Sequence, residues 1–221
     1  MKKTLLILTL LATALNAVSI FAQQPAGSEY IPGKDGGMAL ILAHGKGKHP
    51  TWKVVEPLRK GVNEALGYHT LSLQMPNEEV NWEKYADDFP AAYAMFKDGI
   101  RFLKNERGVS RIFLMGHSMG SRMASAFMSE NPDQPIAGLI VAGCRNNGES
   151  PLSCLPSLQK LNIPVLDIWG GGNSKDSNAA LEREDLVSSN YKQVEIPDAN
   201  HRFDGSEPAL VSAVVTWLKS Q

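Results

Sequence analysis

Ile112-Phe113-Leu114-Met115-Gly116-His117-Ser118-Met119-Gly120-Ser121 is the stretch on which the reading of this chain turns. Apolar residues suited to a buried strand run into a Gly-x-Ser-x-Gly, and a helix-compatible stretch, Arg122 to Met128, follows without a spacer. Strand, sharp turn and helix in that order are the context in which the motif has a mechanical meaning. Small residues at 116 and 120 let the chain turn tightly and let the helix lie close to the sheet. The turn then holds the Ser118 hydroxyl clear of the surface, within reach of a base. The competing reading is a glycine-rich turn with an ordinary surface serine, and residues elsewhere in the chain must decide between the two.

The chain around this segment has 221 residues, enough for one domain with a sizeable core and few for two. Its formal net charge is −1 and no lysine- or arginine-rich block stands out, so nucleic-acid binding has no electrostatic footprint. The N-terminus differs from the rest. Lys2 and Lys3 precede an apolar stretch from Leu5 to about Ala17, and small residues lead up to Ala22-Gln23. This pattern predicts a secretory signal peptide over residues 1–22, cut after Ala22 or, as second choice, after Ser19. Thr9, Thr13, Asn16 and Ser19 interrupt the run, which suits a membrane span of about 20 apolar residues poorly. A periplasmic or secreted protein without a stable membrane anchor is the expectation. Export then gives meaning to Cys144 and Cys154, ten positions apart: a disulfide in an oxidising compartment, with two unrelated buried thiols as the alternative.

After a Gly/Pro-rich arm over 23–37, read as extended or as a short edge strand, apolar runs and helical patterns alternate through 38–221. Strands are predicted at Met38–Ala43, His69–Leu73, Arg111–Met115, Ala137–Ala142, Val165–Trp169 and Gln193–Ile196. Most are continuous apolar runs, as expected of parallel strands covered on both faces. Helices are predicted at Val54–Leu66, Trp82–Asn105, Arg122–Ser129, Pro156–Leu161, Ala179–Ser188 and Pro208–Lys219. The fold class is therefore α/β, with a doubly wound, mostly parallel sheet of about six to seven strands flanked by helices. In the longest helix Trp82, Tyr85, Phe89, Tyr93, Phe96, Ile100 and Leu103 form one stripe, read as core, with a break at Pro90 near Phe89. The excursions Pro76–Asn81 and Cys144–Asn162 leave room for a minimal lid only.

A serine hydroxyl needs a positioned base. Of the five histidines, His117 lies inside the turn and points away from Ser118, His44 ends one strand and His69 begins another. Only His201 follows the last strand, in Pro197-Asp198-Ala199-Asn200-His201-Arg202-Phe203. Loops beyond the C-terminal edge of a parallel sheet are where reacting groups gather, so His201 is the candidate base. At the end of the first core strand stands His44-Gly45-Lys46-Gly47.

Taken together, His-Gly-x-Gly, Gly-x-Ser-x-Gly, an acidic loop and Asn200-His201, in that order and each at a strand end, resemble the α/β-hydrolase superfamily. Within it the compact layout is similar to small, cap-less, exported serine hydrolases. The resemblance implies Ser118 as nucleophile, His201 as base and an acid in the loop after the penultimate strand, Gly170 to Ser177. Asp176 is the acid carried over; the position nearer the strand end is Asn173, and Asp167, Asp198 and Glu182 stay open. It implies oxyanion donors at the amides of Met119 and Lys46. The implied activity is cleavage of a carboxylic ester or thioester through an acyl-enzyme. A non-catalytic binding protein on the same scaffold and an acyltransferase are the alternatives. The expected partner is a small-molecule acyl ester. No metal or organic cofactor is expected, since the Cys/His spacing matches no zinc pattern. Lys46, Lys48 and His49 stand near the mouth and suit an anionic acyl or alcohol group, and Trp52 lines the pocket or caps the next helix.

Overall fold

The protein's structure, a computed structural model, describes residues 22–34 and 36–221. The signal-peptide expectation therefore lies outside the described residues, apart from Ala22, whose amide donates to Glu106. Strand β1 (Glu29–Ile31) is followed by β2 (Met38–Ala43), helix α1 (Val55–Leu66), β3 (His69–Leu73) and, after a 3-10 segment over Trp82–Asp88, α2 (Phe89–Arg107). The second half runs β4 (Arg111–His117), α3 (Met119–Glu130), β5 (Ile136–Ala142), α4 (Cys154–Leu158), β6 (Val165–Gly170), α5 (Ser174–Leu181), β7 (Tyr191–Ile196) and α6 (Glu207–Lys219).

Among the described residues seven strands form one sheet in the order β1-β3-β2-β4-β5-β6-β7. All neighbours are parallel except β1, which runs antiparallel to β3 and closes the edge. The buried strands alternate their side chains between two apolar layers. Leu40, Leu42, Phe113 and Met115 pack with α1 and α6 on one face; Ile41, Leu114 and Leu139 pack with α2 and α3 on the other. Chain order reverses between β2 and β4, so the crevice at their C-terminal ends is the place where such a sheet exposes backbone to a ligand. Register puts Ala43 opposite Gly116 and His117 opposite Ala142. The two glycine motifs thus end side by side.

Four helices differ from the expectation, the simplest case being α3, expected over Arg122–Ser129 and found to begin at Met119 directly after Ser118. The helix expected over Trp82–Asn105 is 3-10 up to Asp88 and α-helical only from Phe89, because Pro90 falls in the first turn, where its missing N–H costs nothing. The helix expected over Ala179–Ser188 starts instead at Ser174 and ends at Leu181, so Asp176 stands in its first turn, not in an open loop. Asn173 is the reason: its side-chain oxygen accepts the Asp176 N–H and caps the helix early. The helix expected over Pro156–Leu161 is shifted to Cys154–Leu158. Cys144 and Cys154 form a disulfide, with Cα atoms 6.1 Å apart, which ties the loop after β5 to α4.

Candidate active site

Ser118 has φ 55° and ψ −115°, a backbone conformation that a non-glycine residue holds only when its surroundings enforce it. The two glycines of the motif are what permit the enforcement. A Cβ on Gly120 would stand 2.3 Å from the Ala43 carbonyl oxygen, and one on Gly116 would stand 2.3 Å from the carbonyl oxygen of Gly120. Helix α3 therefore starts in backbone contact with β2 and β4, and no larger residue fits. Buried Ser121 holds the turn from below: its hydroxyl lies 2.6 Å from the Gly116 carbonyl and accepts the Ala142 N–H. The Ser118 N–H donates to the Ala142 carbonyl at 2.9 Å, which fixes the turn against β5.

The Ser118 hydroxyl meets His201 Nε2 at 2.9 Å, and His201 Nδ1 lies 2.6 Å from Asp176 Oδ2. Three residues spread over 83 positions of chain are thus one line of hydrogen bonds. Nδ1–H donates to the carboxylate, which leaves Nε2 to accept from the serine. Burial pushes the Asp176 carboxyl up, but the hydrogen bonds from His201 and from Arg145 outweigh it and hold the group below the usual carboxylate range. Arg145 Nε donates to Asp176 Oδ1 at 2.7 Å, so the imidazole has one carboxylate oxygen to itself. Gly143 gives the ring its space: a Cβ there would stand 2.9 Å from His201 Cε1.

The other acids have separate employment. Asp167 is buried in a two-bond pair with Arg183 and also accepts from Tyr191 and Gln193. Glu182 accepts from Asn146, and Asp198 is an exposed residue at φ 58°. Around the serine, the loop after β2 comes close, since a Cβ on Gly45 would stand 3.2 Å from Ser118 Cβ. Buried His44 anchors that loop. Its Nε2 accepts the Met75 N–H at 3.0 Å, so Nδ1 carries the proton and donates to the Gly45 carbonyl. Burial holds its pKa below the ordinary histidine value. Met119 is the first residue of α3, where an amide has no partner within the helix. Lys46, Ser118 and Met119 line one cleft of about 350 Å³, together with Trp82, Arg122 and Arg145.

Several contributors had no linear signal. His117 is fully buried with its Nε2–H donating to the His201 carbonyl at 2.9 Å, and the two rings lie 5.1 Å apart. It positions the loop that carries His201. Burial, with repulsion from His201, pushes its pKa down to about 3. Trp52 packs against His117 at 5.8 Å and lies outside the cleft, where Trp82 takes the place at the wall. Lys48 stacks on Trp52 and His49 bonds Thr51, so of the three groups expected at the mouth only Lys46 lines the cleft. Arg145 reaches the site through the loop after β5, and Arg122 stands on α3 bonded to that same loop. Among the described residues no group of three or more His, Cys, Asp or Glu side chains is placed to hold a metal ion.

Residues 81–220 match a family model described as "Protein of unknown function (DUF3530)". No curated protein matches the chain. Among solved structures, Est1E from Butyrivibrio proteoclasticus is similar at 17% identity over 87% of this chain and 93% of that one, with a TM-score of 0.71. A dienelactone hydrolase from Anabaena variabilis is similar at 17% identity over 87% and 90%, TM-score 0.72. An alpha-beta serine hydrolase homologue from Coxiella burnetii is similar at 21% identity over 89% and 94%, TM-score 0.70. At such identities the likeness is one of fold, and the fold is that of the α/β-hydrolases.

Proposed function

We propose that this chain, which belongs to the DUF3530 family and has the α/β-hydrolase fold, is a serine hydrolase that cleaves a carboxylic ester or thioester. One observation carries the reading: the unbroken hydrogen-bond line from Ser118 through His201 to Asp176, with Ser118 held at a φ of 55° on its turn. Ser118 Oγ attacks the carbonyl carbon while His201 Nε2 takes its proton. Asp176 keeps the ring in the required tautomer and stabilises the imidazolium that forms. The amides of Met119 and Lys46 receive the oxyanion, each such donor being worth about 2.7–4 kcal/mol in the transition state. His201 then protonates the leaving alcohol or thiol. Water, deprotonated by the same ring, releases the acid from Ser118 in the second half of the cycle.

The cleft is small, which suits short acyl groups. The N-terminal leader pattern and the Cys144–Cys154 disulfide support action outside the cytoplasm. A panel of 4-nitrophenyl esters of increasing chain length tests the activity. Turnover is expected for short chains, falling by roughly 10⁴–10⁶ in kcat for Ser118→Ala and for His201→Ala. Turnover that survives Ser118→Ala would sink the proposal.

A further inference from the structure

The wall of the cleft carries an unexplained excess of positive charge. Lys46, Arg122, Arg145 and Lys175 line it, and no aspartate or glutamate does. Arg145 is neutralised by Asp176 and Lys46 donates to the Val80 carbonyl. Arg122 is different. It is buried to 6% exposure, yet its guanidinium donates only to the Asn147 and Leu152 carbonyls and to the Asn147 side-chain oxygen, under the Trp82 ring at 5.3 Å. None of these partners is charged, and among the described residues no carboxylate pairs with it. Burial and the nearby Arg145 push its pKa down to about 10, which still leaves it cationic at neutral pH. A buried charge without a counter-charge is costly, and folds keep one where something supplies the missing sign.

Position says what the supplier is. Arg122 follows Ser118 by four residues at the start of α3, one helical turn and about 6 Å along the axis. Helical side chains lean toward the N-terminus, the end of α3 at which Ser118 stands, and Arg122 and Ser118 line the same cleft. Lys175, exposed in the first turn of α5, lines the same cleft.

We propose that the cleft is an anion-recognising subsite: the substrate is an ester with a carboxylate or phosphate two to three bonds from the scissile carbonyl, met by Arg122 with Lys175 and Lys46. This assignment rests on the serine-hydrolase reading for the word substrate, but anion binding can be measured without turnover. In Ser118→Ala protein, titration calorimetry compares monomethyl succinate with the neutral dimethyl succinate. The monoanion is expected to bind at least about tenfold more tightly, as charge-assisted hydrogen bonds require. Lys175→Gln, an exposed change that spares the fold, should cut that preference about threefold or more, and Arg122→Gln further. Inorganic phosphate competing with the monoester assigns the subsite to anions of both kinds; failure to compete assigns it to carboxylates. Equal or weaker binding of the monoanion overturns the subsite. Labelling of the wild-type Ser118 by a fluorophosphonate reads the hydrolase separately. A labelled protein with no anion preference loses only the subsite, and an anion-binding protein that resists labelling loses only the hydrolysis.

Discussion

His117 is neutral inside the native protein and free to protonate once unfolded, and that difference is a pH-dependent stability. With a folded pKa near 3 against an ordinary 6.5, the unfolded chain takes up a proton that the native state refuses. Stability therefore falls as pH drops from about 6.5 toward 3, by a share of order 4–5 kcal/mol at full extent. His117→Gln keeps a donor near the Nε2 position without the titration, so its urea midpoint should fall less than that of wild type between pH 7 and pH 4. Parallel profiles would contradict the assignment. Asp176 works in a lower window. Its folded pKa is depressed, so its pairing with His201 and Arg145 contributes fully above the ordinary carboxylate value and is lost as pH falls through the lower folded value. In the proposed mechanism the same residue matters at neutral pH. Asp176→Asn leaves the geometry but favours the wrong imidazole tautomer, and kcat should drop by roughly 10⁴. A drop of tenfold or less would move the orienting role elsewhere.

The elements that carry the site are set by close backbone contact, and that is why the motif was legible. Gly-x-Ser-x-Gly marks a place where α3 touches β2 and β4 through backbone atoms, and a sequence records such contact as glycine. Continuous apolar runs marked β2, β4 and β5 equally well, since both faces of each are covered. The start of α5 was missed although Asn173, three residues before Asp176, is a recognisable cap. That early start is what presents Asp176 from a rigid helical turn. Gly143 gave no motif, since its need comes from a ring 58 positions away in the chain. Its φ is +59° and its space is taken by His201, so Gly143→Ala should displace the imidazole and lower kcat/KM by about 10². The test is steady-state kinetics beside a circular dichroism spectrum that matches wild type; unimpaired turnover would show the ring has another resting place.

At the scale of the whole molecule, the disulfide ties the site to its scaffold. Cys144 precedes Arg145 and Asn147, which contact Asp176 and Arg122, and Cys154 lies at the start of α4. Closing so short a loop stabilises the native state by about 2.5–3 kcal/mol in the chain-entropy account. For a protein of this size, reduction should lower Tm by about 5–10 °C in a calorimetric scan with and without reductant. No shift would mean that the native contacts hold the loop unaided. The charged residues of the cleft escaped sequence reading for a related reason: Arg122, Arg145 and Lys175 lie on three different elements and share a wall only after β4, β5 and β6 align. The place of His201 beside Ser118 was legible because it follows the last strand, where the sheet allows a loop to reach that serine.

The central claim is that residue 118 bears the reactive oxygen. Peptide mass spectrometry after treatment with a fluorophosphonate tests it most directly. The account predicts one covalent phosphonyl adduct, on Ser118, which is absent from Ser118→Ala protein and formed far more slowly when His201 is replaced by alanine. A folded wild-type protein that remains unmodified, or an adduct on another residue, would contradict it.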